Sequence, residues 1–544
     1  MKYRFLAMAA SLCCLMSCVK TNTEIGGSLI PIDQSYTFYT AEIPLEEIEM
    51  RMADSLSGYS QTRATIGAID DEVYGLTTRG CVITLVPLFD ETLDFGTDPQ
   101  YNNFHFAMAT DTLNMIDQSL EKIIQNVNVY ELDEPLNPDK TYDCNSKIAH
   151  GTKRITKSVP VFNGGDSLSF DFSKEYGKRY MDITSSDLAD FDTYLKKFPG
   201  IYIETDEPFG NSGRIDMFNL QLDYDSDYGY ITGNCASLSF NAIYDGERRD
   251  TTFYFYYSAT DFYDVDSLLT NSGTGSFPEY CLNVTTQQTR HNAGWAHDKI
   301  YVEGGGGLKP AVSAKYIKKL VENEISANGG IPSETVISKA TLIFPFEFPE
   351  DYTEVDNIWP AVLSPTCRVI GSAATSFMGL TDASSSDENQ GDINRSTCQY
   401  EPDITYHLQE LLKIDEDDKD ARTTTYLNNG SYDIWLLIMA NEEVTTTSSS
   451  SSDLSEYYQY LAYQSYYSSM YGGYSSGYGY SDYYSNYYNY MLMAQYASSS
   501  SSSTSYQTML DKDRFYRATL NGPTSKNERK PVLKITYGIP LKAE

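Results

Sequence analysis

The chain has 544 residues, 41% hydrophobic and 21% charged, with a formal net charge of −35 and a pI near 4.4. That length has room for two or three domains, and the hydrophobic share is enough to fill real cores. A nucleic acid would be repelled by so acidic a chain, so that class of function is excluded, and a solvated extracytoplasmic protein fits.

The first element is an export signal. Lys2 and Arg4 form a short positive region, and Phe5 to Met16 is an almost unbroken apolar run. The run is too short to cross a bilayer as a helix, so residues 1–17 read as a signal peptide. Leu15-Met16-Ser17-Cys18 then has the order of a lipobox. The thiol of Cys18 takes a diacylglycerol, small Ser17 fits the narrow site of the lipoprotein signal peptidase, and Leu15 fills the apolar one. Cys18 is therefore the expected lipidation site, and residues 18–32 the expected tether. Acyl burial contributes about 0.8 kcal/mol per CH₂, so more than one chain anchors the protein to a membrane without a transmembrane helix. No later segment is a span candidate, because Ser and Asn interrupt the stretch around Met491-Leu492-Met493.

The body reads as strands in chain order. Cys81 to Val86 is β-branched and bounded by Gly80 and Pro87; Val127 to Leu132 alternates with period two; Thr252 to Tyr257 is aromatic. Ala340 to Phe346 and Asp433 to Ile438 read as buried on both faces, and Val532 to Tyr537 alternates at the C-terminus. Short strands separated by Gly, Asn and Asp turns predict a mainly β protein of antiparallel sandwiches. The C-terminal half, opened by Ile337 to Leu342 and closed by Pro531 to Tyr537, is similar in layout to jelly-roll modules of bacterial surface proteins, so a jelly-roll-like sandwich is what that resemblance implies. Two helices are expected, Asp187 to Phe198 and Ser313 to Ile325. The second has Ile317, Leu320, Val321 and Ile325 on one face, a Ser313 cap and a stop at Asn328-Gly329-Gly330. The expected division is an N-terminal β-rich domain over 33–300 and a C-terminal sandwich over 301–544.

Residues 445–505 interrupt that sandwich with a Ser/Tyr-rich, low-complexity insertion, with short helices expected over 454–470 and 486–496. Ser runs act as spacers, while tyrosines bury area and carry a polar tip. Tyr457, Tyr458, Tyr466, Tyr467, Tyr483, Tyr484, Tyr487 and Tyr488 form a candidate contact surface for a partner, a glycan or the membrane, against the plainer alternative of a tolerated loop expansion.

Other motifs weigh toward architecture. Gly304 to Gly307 lacks the Lys-Ser/Thr of a phosphate loop and is followed by Pro310, so a tight turn is expected. Asp223, Asp225 and Asp227 alternate as calcium ligands do, but Gly229 comes one place late and Asn234 stands where a bidentate Glu belongs, so a solvated turn is preferred. Asp415 to Asp420 reads as a charged surface turn before a cation site. His291, His297 and Asp298 are close in sequence, yet no nucleophile motif accompanies them. Cys81, Cys144, Cys235, Cys281, Cys367 and Cys398 are scattered, with no zinc spacing; they permit disulfides or stand as buried thiols. No catalytic, cofactor or metal residue is assigned.

Several segments resemble a family of Bacteroidetes lipoproteins grouped as domain of unknown function 4270. They are Ile25-Gly26-Gly27-Ser28-Leu29-Ile30-Pro31, Ile66 to Gly75, Val129 to Leu132, Phe198 to Ile203, Ile300 to Leu308, Ile404 to Gln409 and Pro531 to Tyr537. The resemblance implies lipid anchoring and brings no activity. Surface export in that phylum favours acids after the lipidated cysteine, and Val19 to Glu24 holds one. The outer membrane is expected, on the cell surface, with its periplasmic face as the alternative. The expected function is a non-catalytic structural or interaction subunit of an envelope protein assembly, such as outer-membrane insertion or secretion machinery, with an outer-membrane protein as partner. A surface glycan-binding protein is the second reading and an extracytoplasmic hydrolase the third.

Overall fold

A computed structural model describes residues 35–541, except 112–122, 263–280, 348–358, 369–376, 383–389, 446–503 and some single residues or short runs between them. The expected signal peptide, Cys18, the expected tether and the helices expected over 454–470 and 486–496 lie outside the described residues. The described chain is mainly β, and its strand ladders are antiparallel.

Two sandwiches result. The N-terminal one packs a nine-stranded sheet, centred on Gly75–Ile83, Ile201–Thr205 and Cys281–Thr289, against a five-stranded sheet that includes Thr97–Ala109, Cys235–Tyr244 and Glu247–Tyr257. Its core is aromatic. Phe106 stacks on Phe170 at 4.6 Å and on Tyr257 at 4.7 Å, and Tyr180 meets Phe198 at 4.4 Å between ring centroids. Such rings bury large areas and fix their neighbours' geometry.

The C-terminal sandwich packs an outer sheet against an inner one. The outer sheet runs Tyr36–Pro44, Val532–Pro540, Val336–Pro345, Gln399–Tyr400, Ile393–Asn394 in spatial order. The inner sheet has seven strands, with Ile434–Thr445 between Leu308–Val312 and Val362–Arg368. Its core is aliphatic: Ile317, Val321, Leu342, Leu436, Ile438, Leu533 and Ile535 are all fully buried. The other face of the inner sheet is covered too, since Trp435 and Leu437 cluster with Ala53, Leu56 and Cys144. That second covering explains why Ile434 to Ile438 reads as a continuous apolar run.

The chain path departs from the expected division at residue 300. Tyr36–Pro44 pairs with Val532–Pro540, and Glu49–Met52 pairs with Leu308–Ala311, so these early strands sit in the C-terminal sheets. The chain then builds the N-terminal sandwich and returns. Short alternating strands carry no label for their partner sheet, so the sequence alone did not reveal this.

Individual strands show similar tertiary effects. The strand expected from Cys81 begins at Gly75 and runs through Gly80, where a Cβ would lie 2.5 Å from the Tyr202 hydroxyl. Pro87 lies within Leu85–Leu88, an edge strand, where a missing N–H costs no ladder bond. Ala340 to Phe346, expected to be buried on both faces, is buried on one; Thr341 and Ile343 face outward and stay half-buried.

Five helices are described: α1 (Lys174–Tyr180), α2 (Phe191–Lys197), α3 (Ala314–Ala327), α4 (Thr405–Leu412) and α5 (Arg422–Asn428). α3 matches its expectation. Ser313 accepts from the Tyr316 N–H, Asn328 caps the end, and Ile317, Val321 and Ile325 pack on the sandwich core. α2 is shorter than expected, because Asp190 caps it by accepting from the Thr193 N–H and Asp187 is held in the preceding turn by Thr184. α1, α4 and α5 were not expected; at seven or eight residues each, their apolar periodicity is too short to stand out.

Candidate functional site

The outer sheet carries the candidate site on its exposed face. Along its strands, Leu533, Ile535, Tyr537, Ala340, Leu342 and Phe344 point into the core. The alternate residues face outward, and the register aligns them in rows. Phe38, Gly538 and Val336 form one row; Thr40, Thr536 and Lys339 the next; Glu42, Lys534 and Thr341 a third; Pro44, Val532 and Ile343 a fourth. A bulge between Ile337 and Lys339 keeps Val336 and Lys339 on the same face although three positions separate them.

The lower three rows apart from Thr40, with Gln399, Glu401 and the loop Glu528-Arg529-Lys530, line a groove of about 730 Å³. Four basic side chains (Lys339, Arg529, Lys530, Lys534) and three acidic ones (Glu42, Glu401, Glu528) line it. Lys534 Nζ is 3.3 Å from Glu42 Oε1, with both side chains at least half exposed. Lys339 Nζ is 2.5 Å from Asp403 Oδ2, whose carboxylate is fully buried. The Arg529 guanidinium donates to the Cys398 carbonyl at 2.9 Å, to Gln399 Oε1 at 3.1 Å and to the Thr397 carbonyl, which pins its loop over the groove end. Lys, Thr, Glu and Gln groups of this kind offer both donors and acceptors to a polar ligand. The upper row is different. The Phe38 ring covers Gly538, Tyr36 lies 6.4 Å from it, and both rings are exposed.

Behind the α3 end of that sheet, α4 begins over buried acids. Asp382 accepts from the backbone N–H groups of Tyr406 and His407 at 2.7 and 3.1 Å. Burial, with Asp403 nearby, still raises its carboxyl to about 7. His407 Nε2 donates to the Tyr432 carbonyl at 3.0 Å, and burial lowers its imidazole to about 4.

A second cluster of charges is buried at the seam between the sandwiches. Gly304 to Gly307 makes the expected turn, and the reason is close approach. A Cβ at Gly304 would lie 2.5 Å from the Arg514 carbonyl, and one at Gly305, where φ is +57°, would lie 2.6 Å from Arg79. The turn's carbonyls converge on Lys309, whose Nζ donates to Glu303, to Gly305 at 3.0 Å and to Gly307 at 3.2 Å. Burial lowers its amine to about 7, against the opposing pull of Glu303. The Glu303 carboxylate accepts from Gln287, from Thr289 Oγ1 at 2.8 Å and from the Leu308 N–H at 3.2 Å. Arg517 donates to Thr77 Oγ1 at 2.7 Å and lies 4.0 Å over Phe515. Strands of the N-terminal sandwich thus bind strands of the C-terminal one through charge-assisted hydrogen bonds, which makes the cluster a clamp.

The sequence-derived candidates are dispersed. His291 stacks on Tyr301 at 3.3 Å between centroids, whereas His297 and Asp298 are exposed and offer backbone carbonyls to Thr524 and Gly522. Asp223 and Asp225 lie in the strand Leu222–Asp225, paired with Tyr230–Gly233, and Asp227 is outside the described residues. Asp415 and Asp418 cap their own turn, and Glu416 reaches Lys318 of α3 at 3.4 Å. Each of the six cysteines is a free thiol, and all but Cys398 are buried. Among the described residues, no group of three His, Cys, Asp or Glu side chains is placed to hold a metal. Tyr457, Tyr458, Tyr466, Tyr467, Tyr483, Tyr484, Tyr487 and Tyr488 lie outside the described residues. Their segment leaves and rejoins the inner sheet at one point, since Thr445 pairs with Thr504.

The groove was missed from sequence. Lys534 and Thr536 sit at the polar positions of an alternating strand, which marks one wet face, but the rows they complete come from residues 36–44 and 336–343. No family model, no curated protein and no solved structure matches the chain.

Proposed function

We propose that the chain is a lipid-anchored, non-catalytic protein of the outer membrane, on the cell-surface side, serving as a structural or interaction subunit of an envelope protein assembly. The observation that carries this reading is the ordered run of Lys2 and Arg4, an apolar stretch and Leu15-Met16-Ser17-Cys18. The resemblance to Bacteroidetes lipoproteins supports the same address. Two surfaces suit a partner protein: the outer-sheet groove, and the Ser/Tyr-rich segment that issues from the end of the ladder between Ile434–Thr445 and Thr504–Leu510. Loops held on rigid β scaffolds are frequent sites of recognition. The test is fractionation and gentle-detergent purification of the native chain beside Cys18→Ser. A membrane-bound native chain with a stoichiometric partner and a soluble variant support the proposal. A native chain recovered wholly in the aqueous fraction overturns it.

A second reading, surface glycan binding, is favoured by the groove's Lys, Glu, Gln and Thr groups, which match the donors and acceptors of a sugar. Binding on a glycan array that is lost in Lys534→Ala would select it.

A further inference from the structure

The upper end of the outer sheet carries a patch that the groove does not use. Phe38 is 61% exposed, Val336 42% and Tyr36 41%, so three of the larger exposed apolar side chains come from neighbouring strand ends on one face. The register places Phe38, Gly538 and Val336 side by side, and Tyr36 pairs with Pro540, next to Leu541. The Leu541 N–H donates to the Ser35 carbonyl at 2.8 Å, so the chain arriving from Cys18 enters the fold at this patch. A contiguous exposed apolar patch on a soluble domain marks a contact surface.

We infer that this end of the outer sheet rests on the lipid bilayer that holds the Cys18 acyl chains, with Tyr36 and Phe38 at the headgroup level. The inference rests on the lipid-anchor reading and deepens it by naming the face turned to the membrane. Three observations select a bilayer as the occupant. The chain between Cys18 and Ser35 spans at most about 60 Å when extended, so the lipid holds this patch near the membrane at high local concentration. Tyr and Phe with adjacent aliphatics are the residues that partition to a membrane interface. The third is charge. A chain with a net charge of −35 is repelled by anionic headgroups, but the groove beside the patch is lined by four basic and three acidic side chains. This face therefore approaches lipid with little of the repulsion that the rest of the surface meets.

The test uses the full lipidated chain reconstituted into vesicles of phosphatidylethanolamine and phosphatidylglycerol. An environment-sensitive dye is attached at Val336→Cys or, as a control on the N-terminal sandwich, at the exposed Val161→Cys. The inference expects blue-shifted emission at 336, quenched by brominated lipid, and neither effect at 161. In the unlipidated Cys18→Ser chain, Phe38→Ser should lower partitioning into the same vesicles by about tenfold, as expected for losing one buried aromatic ring. Equal, unquenched emission at both positions overturns the inference. So does a blue shift at 336 that resists brominated lipid and disappears when residues 25–32 are replaced by Gly and Ser, which would assign the patch to the chain's own tether; a shift that needs a co-purified protein assigns it to a partner. Mass analysis of the N-terminal peptide separates the two levels: an unlipidated Cys18 removes the anchoring reading itself, whereas a lipidated Cys18 with an unquenched dye removes only the membrane-facing patch.

Discussion

The seam between the sandwiches and the outer-sheet groove use the same side chains to opposite ends. In the seam, Glu303, Lys309, Arg79 and Arg517 are almost fully buried, and burial pulls both guanidiniums and the amine toward their neutral forms. They stay in place because carbonyls, hydroxyls and a counter-charge replace water. In the groove, Lys534 and Glu42 meet in water, where attraction is weak and the cost of separating them is small. Charge type therefore says little about role; solvation decides whether a lysine fastens two domains or remains available to a partner.

The largest effect should come from breaking the seam. Glu303→Ala removes the counter-charge that opposes burial at Lys309 and Arg517 and strands a buried amine. A loss of about 3–5 kcal/mol is expected. Urea unfolding would measure it, and a loss below about 1 kcal/mol would contradict a clamp.

Next comes pH. His407 is held below its ordinary value, at about 4, so its folded form binds protons less well than the unfolded chain. The sign follows: the contribution is fully present above 6.5, declines as pH falls and is gone below about 4. Its size is about 3 kcal/mol over that window. Asp382 works the other way. Its carboxyl is raised to about 7, so it favours the fold at low pH and loses that contribution as pH rises through 7. Because the two slopes oppose each other between pH 7 and 4, His407→Gln should gain about 3 kcal/mol relative to the native chain as pH falls across that range, leaving the steeper Asp382 dependence exposed in thermal unfolding. Parallel curves for the two proteins would assign the slope to other groups.

A smaller effect is expected at Gly305→Ala. The residue sits at φ +57°, and its new methyl would press on Arg79. A loss of about 1–3 kcal/mol should appear in the same unfolding assay, and an unchanged midpoint would show that the seam relaxes around it.

The smallest effect belongs to the groove. Lys534→Ala should change stability by about 0–1 kcal/mol, and added salt should erase the difference. A salt-insensitive loss larger than that would mean that the groove charges are structural, and the contrast with the seam would collapse.

Much of the fold was legible. Alternation in Val532 to Tyr537, the apolar run Ile434 to Ile438 and the Ser313-capped helix each follow from local pattern and burial. The Gly304 to Gly307 turn was legible as a turn, though not as the cradle of Lys309. The groove was not, because its rows join Glu42 and Pro44 with Val532 to Thr536 and with Lys339 to Ile343, segments hundreds of residues apart. Likewise Thr341 and Ile343 looked buried because an apolar stretch does not state which of its two faces another layer will cover.

By itself the sequence determined what local chemistry encodes: the β-rich class from period-two alternation and the α3 boundaries from a cap and a glycine stop. Only the tertiary structure decided which strands are neighbours. It sent Tyr36–Pro44 and Glu49–Met52 into the C-terminal sandwich, buried one set of charges and left another wet. The physical reason is that strand pairing joins backbone groups common to every residue, so a strand's partners are chosen by packing over the whole chain rather than by its own residues.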